Sequence, residues 1–60
     1  SISAQNGTII IDGMEALATP IMIYNLNGQR VYKGYDTAVG NLSKGTYIIR
    51  IADKTYKIVL

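Results

Sequence analysis

The sequence predicts an all-β fold, a small antiparallel immunoglobulin-like β-sandwich of about six to seven strands. Three observations predict it: β-branched residues and tyrosines dominate the apolar runs, turn signals recur at short intervals, and no apolar stripe of helical period is present. The 60 residues, 48% of them hydrophobic, suffice for one domain, and without cysteine its stability must come from apolar burial. A small closed barrel is the alternative fold.

The N-terminal third predicts two short strands and a loop. Residues 1–4 are predicted as an edge strand, and the Asn6-Gly7 turn signal separates them from an isoleucine-rich strand at residues 8–12. Residues 14–19 contain Met, Glu, Ala and Leu and could make one helical turn, but they are short enough to cross between sheets. We therefore predict a loop there.

The middle of the chain predicts a hairpin. The strand predicted at residues 20–26 starts at a proline, where a missing N–H disturbs the ladder least. The Asn27-Gly28 dipeptide readily takes positive φ at both central positions of a type I′ turn. This strand and residues 29–33 should therefore form a tight hairpin.

The C-terminal half predicts three further strands, of which the last two are the most regular. A short fifth strand at residues 35–39 precedes a turn at residues 41–45, which ends on a glycine able to adopt positive φ. Strands at residues 46–51 and 55–60 follow, joined by residues 52–54. Period-2 alternation assigns to the core one face of each of these two strands, namely Tyr47, Ile49 and Ile51 in the first and Tyr56, Ile58 and Leu60 in the second.

The composition excludes the usual catalytic chemistries. The chain has no histidine and no cysteine, and its four acidic residues fall in turns and connections. Because it also lacks a phosphate loop and a nucleophile elbow, we predict a non-catalytic protein without a metal or another cofactor. The six cations are spread along the chain, which predicts no basic stripe and no nucleic-acid partner. No stretch approaches the ~20 apolar residues of a membrane span.

Three segments occur in a distinctive order. They are "IMIYNLNGQRV" at residues 21–31, "LSKGTYIIRI" at residues 42–51 and "KIVL" at residues 57–60. Together they resemble the C-terminal sorting domain of the type IX (Por) secretion system of Bacteroidetes, and the resemblance covers nearly the whole chain. The family is described as seven-stranded sandwiches, which agrees with the strand count predicted from the residues.

The resemblance implies that residues 1–60 are a single C-terminal module of a larger secreted protein. Such a module directs its parent across the outer membrane to the cell surface, after a separate signal peptide has brought the parent to the periplasm. An outer-membrane translocon would read the module, and a sortase-like peptidase would remove it. The recognised residues would be Lys57, Ile58, Val59 and Leu60. The motif positions that shape the fold would be Asn27, Gly28, Leu42, Gly45, Tyr47 and Arg50.

A terminal strand with a free outer edge suggests how recognition works. Unpaired N–H and C=O groups on an edge are an aggregation liability, but they are also a template for strand addition. We expect the translocon to capture residues 57–60 through the backbone, with Lys57 blunting the edge beforehand. The same edge is a candidate for self-association. Separately, Asp36-Thr37-Ala38 resembles the acceptor triplet for O-glycosylation in these bacteria, so Thr37 is a candidate modification site.

Two other functions fit a sandwich of this composition. The first is an accessory module that binds glycan or protein, with Tyr24 or Tyr32 stacking on a sugar. Against it, tyrosine is an ordinary strand residue that buries its ring and leaves the hydroxyl at the rim. The second is an inert structural cap on a parent enzyme. Leu42 followed by Gly45-Thr46-Tyr47 is typical of the tyrosine corner of such sandwiches, which is compatible with all three functions.

Overall fold

The computed structural model describes residues 1–13 and 18–60, which form two antiparallel sheets. The strands are β1 (Ile2–Gln5), β2 (Thr8–Ile11), β3 (Ile21–Asn25), β4 (Arg30–Gly34), β5 (Ala38–Val39), β6 (Thr46–Ile51) and β7 (Lys54–Val59). The first sheet has the order β1-β2-β5 and the second the order β4-β3-β6-β7. The predicted all-β sandwich is confirmed. None of the described segments forms a helix that could span a bilayer.

The core lies between the two sheets and is built by period-2 alternation. Its buried members come from β2, β3, β5 and β6: Ile9, Ile11, Ile21, Ile23, Val39, Tyr47, Ile49 and Ile51. The half-buried side chains of Tyr56, Ile58 and Leu60 pack against this cluster. The core faces predicted for the last two strands are therefore the faces that the structure buries. Each isoleucine that is buried between the two sheets contributes roughly 1.5–3 kcal/mol to the free energy of unfolding.

The predicted hairpin between β3 and β4 is present, but the tight type I′ turn is not. Gly28 has φ of 83°, whereas Asn27 does not have positive φ. The Asn25 N–H donates to the Gln29 carbonyl (2.9 Å) and the Gly28 N–H donates to the Asn25 carbonyl (3.1 Å), which makes a three-residue loop. The Asn25 side-chain oxygen also accepts hydrogen bonds from the N–H groups of Asn27 and Gln29. These bonds stabilise a loop that is one residue longer than the predicted turn.

The two-residue turn with positive φ at both positions occurs instead between β1 and β2. Asn6 has φ of 52° and Gly7 has φ of 73°, and Gln5 and Thr8 face each other across the turn. These dihedrals are the ones that a type I′ turn requires. Both Asn-Gly signals therefore mark hairpins, and they do so with different loop lengths.

Several strand boundaries differ from the predicted ones. The fifth strand is Ala38–Val39 rather than residues 35–39, because Asp36 folds back onto the Tyr32 hydroxyl. The Thr37 carbonyl accepts a hydrogen bond from the Ile11 N–H of β2. The last strand is Lys54–Val59 rather than residues 55–60, although Leu60 keeps its backbone bonds. Strand β6 has the predicted bounds, and β1 to β4 differ from the predicted bounds by one residue at one or both ends. Of the loop predicted at residues 14–19, residues 14–17 lie outside the described part.

Candidate functional site

The last strand, β7, lies at the rim of the four-stranded sheet. It pairs antiparallel with β6 along its whole length, from Ile51 opposite Lys54 to Thr46 opposite Val59. β1 of the other sheet passes beside it without forming a ladder with it. Among the described strands, β7 thus has a pairing partner on one side only, and the residues predicted to be recognised lie on this edge.

The hydrogen-bond alternation shows which backbone groups of β7 are free. Beyond the end of the strand, Leu60 donates its N–H to the Gly45 carbonyl (2.8 Å) and accepts the Gly45 N–H (3.2 Å). In an antiparallel ladder such doubly bonded pairs recur at every second residue, so Ile58 and Tyr56 also bond to β6. The intervening residues, Thr55, Lys57 and Val59, aim their N–H and C=O groups away from β6.

Side-chain burial divides the predicted quartet in the same way. Ile58 and Leu60 are half-buried against the core, whereas Lys57 is exposed and Val59 is 64% exposed. The first two side chains anchor the strand, and the other two are displayed on the outer face of the sheet. The arrangement offers a partner an extended backbone edge flanked by an ammonium group and an isopropyl group.

The segment that receives Leu60 is held by a tyrosine corner. Tyr47 is only 5% exposed, and its hydroxyl donates to the Ser43 carbonyl at 2.7 Å. Gly45 between them has φ of 152°, a conformation largely restricted to glycine. Leu42 packs against the core at the start of the segment. The structure therefore joins these three motif positions to the end of the last strand.

An open cleft of about 250 Å³ connects this segment to the β3–β4 turn. The turn side of the cleft is formed by Asn25, Leu26 and Asn27, and the other side by residues 43–47. Two of the three sequence motifs thus meet at the end of the sheet that also holds Leu60. Gly28 completes the same turn, whereas Arg50 lies away from the cleft, opposite Thr55 in the middle of the sheet.

Thr37 is exposed, and it is distant from β7 in the sequence. Its neighbour Asp36 accepts a hydrogen bond from the Tyr32 hydroxyl (2.9 Å) and donates its own N–H to the same oxygen (2.9 Å). Burial raises the pKa of Tyr32, the Asp36 N–H opposes that rise, and the side-chain hydrogen bond and negative charge of Asp36 add to it. This contact fixes the backbone that presents Thr37.

The tyrosines do not gather into one stacking platform. Tyr32, Tyr47 and Tyr56 pack against the core, while Tyr24 lies on the outer face with its hydroxyl 3.4 Å from the Met22 sulfur. In residues 1–13 and 18–60, no group of three or more carboxylate, imidazole or thiol side chains could hold a metal ion.

Sequence reasoning missed a cationic surface on the four-stranded sheet. Arg30, Lys33, Arg50 and Lys57 are exposed, and the strand registers bring all four to the outer face. The chain shows no basic stripe because these residues are spread over three strands. Period-2 alternation could have placed each of them outward, but the order β4-β3-β6-β7 was needed to see them as neighbours.

The comparisons with known proteins identify one family that the chain matches. A family model described as "Secretion system C-terminal sorting domain" matches residues 4–60. No curated protein matches this chain, and no solved structure matches it.

Proposed function

Because the chain belongs to the family of type IX secretion C-terminal sorting domains, we propose that residues 1–60 are the terminal module of a larger protein and direct its export. Membership in this family carries a sorting role in secretion, an interaction with the type IX machinery and export to the cell surface or extracellular space. The finer steps belong to the proposal: transit through the periplasm, reading by an outer-membrane translocon, removal by a sortase-like peptidase, and no catalysis by the module itself.

The recognised element in this proposal is the free edge of β7. A receptor strand laid along β7 would bond to the outward N–H and C=O groups of Thr55, Lys57 and Val59. The single observation that carries the proposal is the position of β7 at the rim, with β6 as its only ladder partner among the described strands. Recognition through the backbone supplies affinity, and the displayed side chains of Lys57 and Val59 supply the check on sequence.

The other motif positions support this edge. Gly45 holds Leu60 through two backbone bonds, and Tyr47 fixes the segment that contains Gly45. Asn27 and Gly28 shape the β3–β4 turn across the cleft. Arg50 stands opposite Thr55 on the displayed face. In this scheme Thr37 is an exposed acceptor for glycosylation, remote from the recognised edge.

The first experiment asks whether the module is an address. Residues 1–60 are fused behind a reporter that carries a signal peptide, in cells with and without the type IX machinery. Surface display only in cells with the machinery supports the proposal. Equal display in both cells would refute it and favour an inert cap. Deleting residues 57–60 should leave the reporter inside the cell envelope, although this deletion also removes core contacts of Ile58 and Leu60.

The second experiment tests edge capture in a folded module. Val59→Pro removes an N–H that does not bond to β6, and an edge strand tolerates proline at such a position. Val59→Ala keeps that N–H and serves as the matched control. We expect both variants to fold and Val59→Pro to be displayed far less than Val59→Ala, which loses only the contribution of the side chain. Normal display of a folded Val59→Pro variant would rule out capture through this part of the edge.

The third experiment asks whether β7 must detach from β6 to be recognised. Thr46 and Val59 are opposite each other in a pair without mutual hydrogen bonds, where Cα atoms lie about 4.5 Å apart. That separation suits a disulfide between Thr46→Cys and Val59→Cys, and the chain has no other cysteine. Display of the oxidised double variant at the level of the two single variants is the expected result. Loss of display only after oxidation would show that recognition unfolds the strand.

A further inference from the structure

We propose that the outer face of the four-stranded sheet adsorbs to anionic phospholipid surfaces. The face is defined by the outward side chains of β3, β4, β6 and β7, and the strand registers order them in rows. One row runs Lys33, Met22, Arg50 and Thr55, the next runs Arg30, Tyr24, Ile48 and Lys57, and a third pairs Thr46 with Val59. No acidic residue occupies any of these positions.

The charge of the domain is therefore distributed unequally between its two outer faces. Four of the six cations lie on the outer face of the four-stranded sheet. The outward positions of the three-stranded sheet carry no charge, and they are Ser3, Gln5, Thr8, Ile10 and Ala38. A net charge of only +2 for the whole chain thus conceals a one-sided positive surface. Such a surface is drawn to negative headgroups with one side of the domain turned toward them.

The spacing of the cations suits a planar surface. Three strand spacings of ~4.8 Å place the backbones of Arg30 and Lys57 about 14 Å apart, and two spacings place Lys33 and Arg50 about 10 Å apart. Met22, Tyr24 and Ile48, all half-buried, fill the area between them. At these spacings the four long cationic side chains can reach separate headgroups in one leaflet.

The exposed apolar side chains lie around the same face. Residues 1–13 and 18–60 include four large apolar side chains that are exposed. Of these, Val59 (64%) is on this face, Val31 (42%) is on its β4 edge, and Leu26 (68%) is at the tip of the adjoining β3–β4 turn. Single protruding apolar residues among cations are the pattern of a surface that rests at the headgroup level with shallow insertion.

A lipid surface fits this face better than an acidic protein does. The apolar residues at its centre are half-buried within the sheet, and the cleft of the domain lies at the end of the strands, away from the middle of the face. The face is thus a broad surface without the pocket that would anchor a protein partner.

The test uses the 60-residue chain and vesicles of phosphatidylglycerol and phosphatidylcholine in a one-to-three ratio, with pure phosphatidylcholine vesicles for comparison. Co-sedimentation at low salt should show binding to the anionic vesicles and loss of that binding at high salt. Each cation contributes about fivefold to the partition coefficient, so Arg30→Gln with Arg50→Gln should lower it about 25-fold. The matched control, Lys44→Gln with Lys54→Gln, removes the same charge from outside the face and should change it far less.

A fluorescence measurement reports which side of the domain meets the lipid. The chain has no tryptophan, so a single introduced residue is a clean probe. Emission of Val59→Trp should shift to shorter wavelength on anionic vesicles, while Gln5→Trp on the opposite sheet should not shift. Failure to bind the anionic vesicles would overturn the proposal and leave an acidic protein as the occupant, whereas equal binding to both vesicle types would overturn the role given to the cations. Equal losses in both charge-removal pairs would overturn the assignment to this face. Because no secretion machinery is present, these outcomes are independent of the sorting role.

Discussion

The bond between the Tyr47 hydroxyl and the Ser43 carbonyl can be removed without disturbing the ring. Tyr47→Phe keeps the side chain that fills the core at 5% exposure, and it removes the 2.7 Å hydrogen bond to the Ser43 carbonyl together with the 3.4 Å contact to the Ser43 Oγ. A buried bond of this kind contributes about 0.5–1.5 kcal/mol to the free energy of unfolding. A 60-residue domain has about 3–9 kcal/mol in total, so the loss is a substantial fraction of its stability.

Urea unfolding followed by circular dichroism measures this loss. The midpoint should fall with an unchanged slope, and the melting temperature should drop by about 4–8 °C for each kcal/mol lost. Tyr35→Phe is the matched control, since it deletes a hydroxyl from a side chain that is 60% exposed, and it should change stability little. The amide of Leu60 should also exchange its hydrogen faster in Tyr47→Phe, because the corner holds the segment to which that amide bonds.

Two results would contradict this account of the corner. If Tyr47→Phe were as stable as Tyr35→Phe, the hydroxyl bond would contribute nothing to the fold. The second result is a fall in the free energy of unfolding while the Leu60 amide exchanges its hydrogen no faster than the change in global unfolding requires. The corner would then stabilise the core without positioning the end of the last strand. In the second case, Tyr47 would not be a supporting residue of the recognised edge.

Three further changes follow from backbone geometry and from the Tyr32 contact. An alanine Cβ at position 45 would have space, but alanine rarely adopts a φ of 152°. Gly45→Ala should therefore lower the free energy of unfolding in urea by about 1–3 kcal/mol and speed hydrogen exchange at the Leu60 amide. Ala52→Gly relieves a non-glycine residue at φ of 55° and should raise the unfolding free energy by about 1 kcal/mol. Because the pKa of Tyr32 is raised in the folded state, the folded chain holds its proton above the pH at which the unfolded chain, with a pKa of about 10, releases it. The free energy of unfolding should therefore fall as the pH rises above about 10. In thermal melts, Tyr32→Phe should make that fall shallower. If the variant and the wild type had the same pH profile, the raised pKa of Tyr32 would be contradicted.

The sequence determined the sandwich and the two core faces, because local alternation alone decides which side chains a strand buries. Loop length was less accessible. Asn6-Gly7 and Asn27-Gly28 are the same dipeptide, yet only the first makes a two-residue turn. The second is lengthened by the Asn25 side chain, which accepts two loop N–H groups. Whether Asn25 does so depends on the register of β3 against β4, and no local pattern encodes that register.

The shortening of the fifth strand has a similar origin. Residues 35–39 have strand-forming composition, but Asp36 binds the hydroxyl of Tyr32, which belongs to β4 and packs against the core. The cationic face could not be predicted from the sequence for a similar reason, since it also depends on contacts between strands. Arg30 and Lys57 are separated by more than twenty residues in the chain and become neighbours in one row only through the order β4-β3-β6-β7. Non-local strand order is the information that a single sequence pattern lacks.

One geometric property of a strand would let β7 perform both tasks proposed for it, closing the core and binding a receptor. Side-chain direction and hydrogen-bond direction both repeat every two residues, so they remain in phase along the strand. Ile58 and Leu60 therefore turn both their side chains and their backbone groups toward the protein, while Lys57 and Val59 turn both away. A receptor at the edge meets only residues that the fold does not need. Changes at Lys57 and Val59 should accordingly alter recognition at little cost in stability, and changes at Ile58 and Leu60 should act mainly through unfolding.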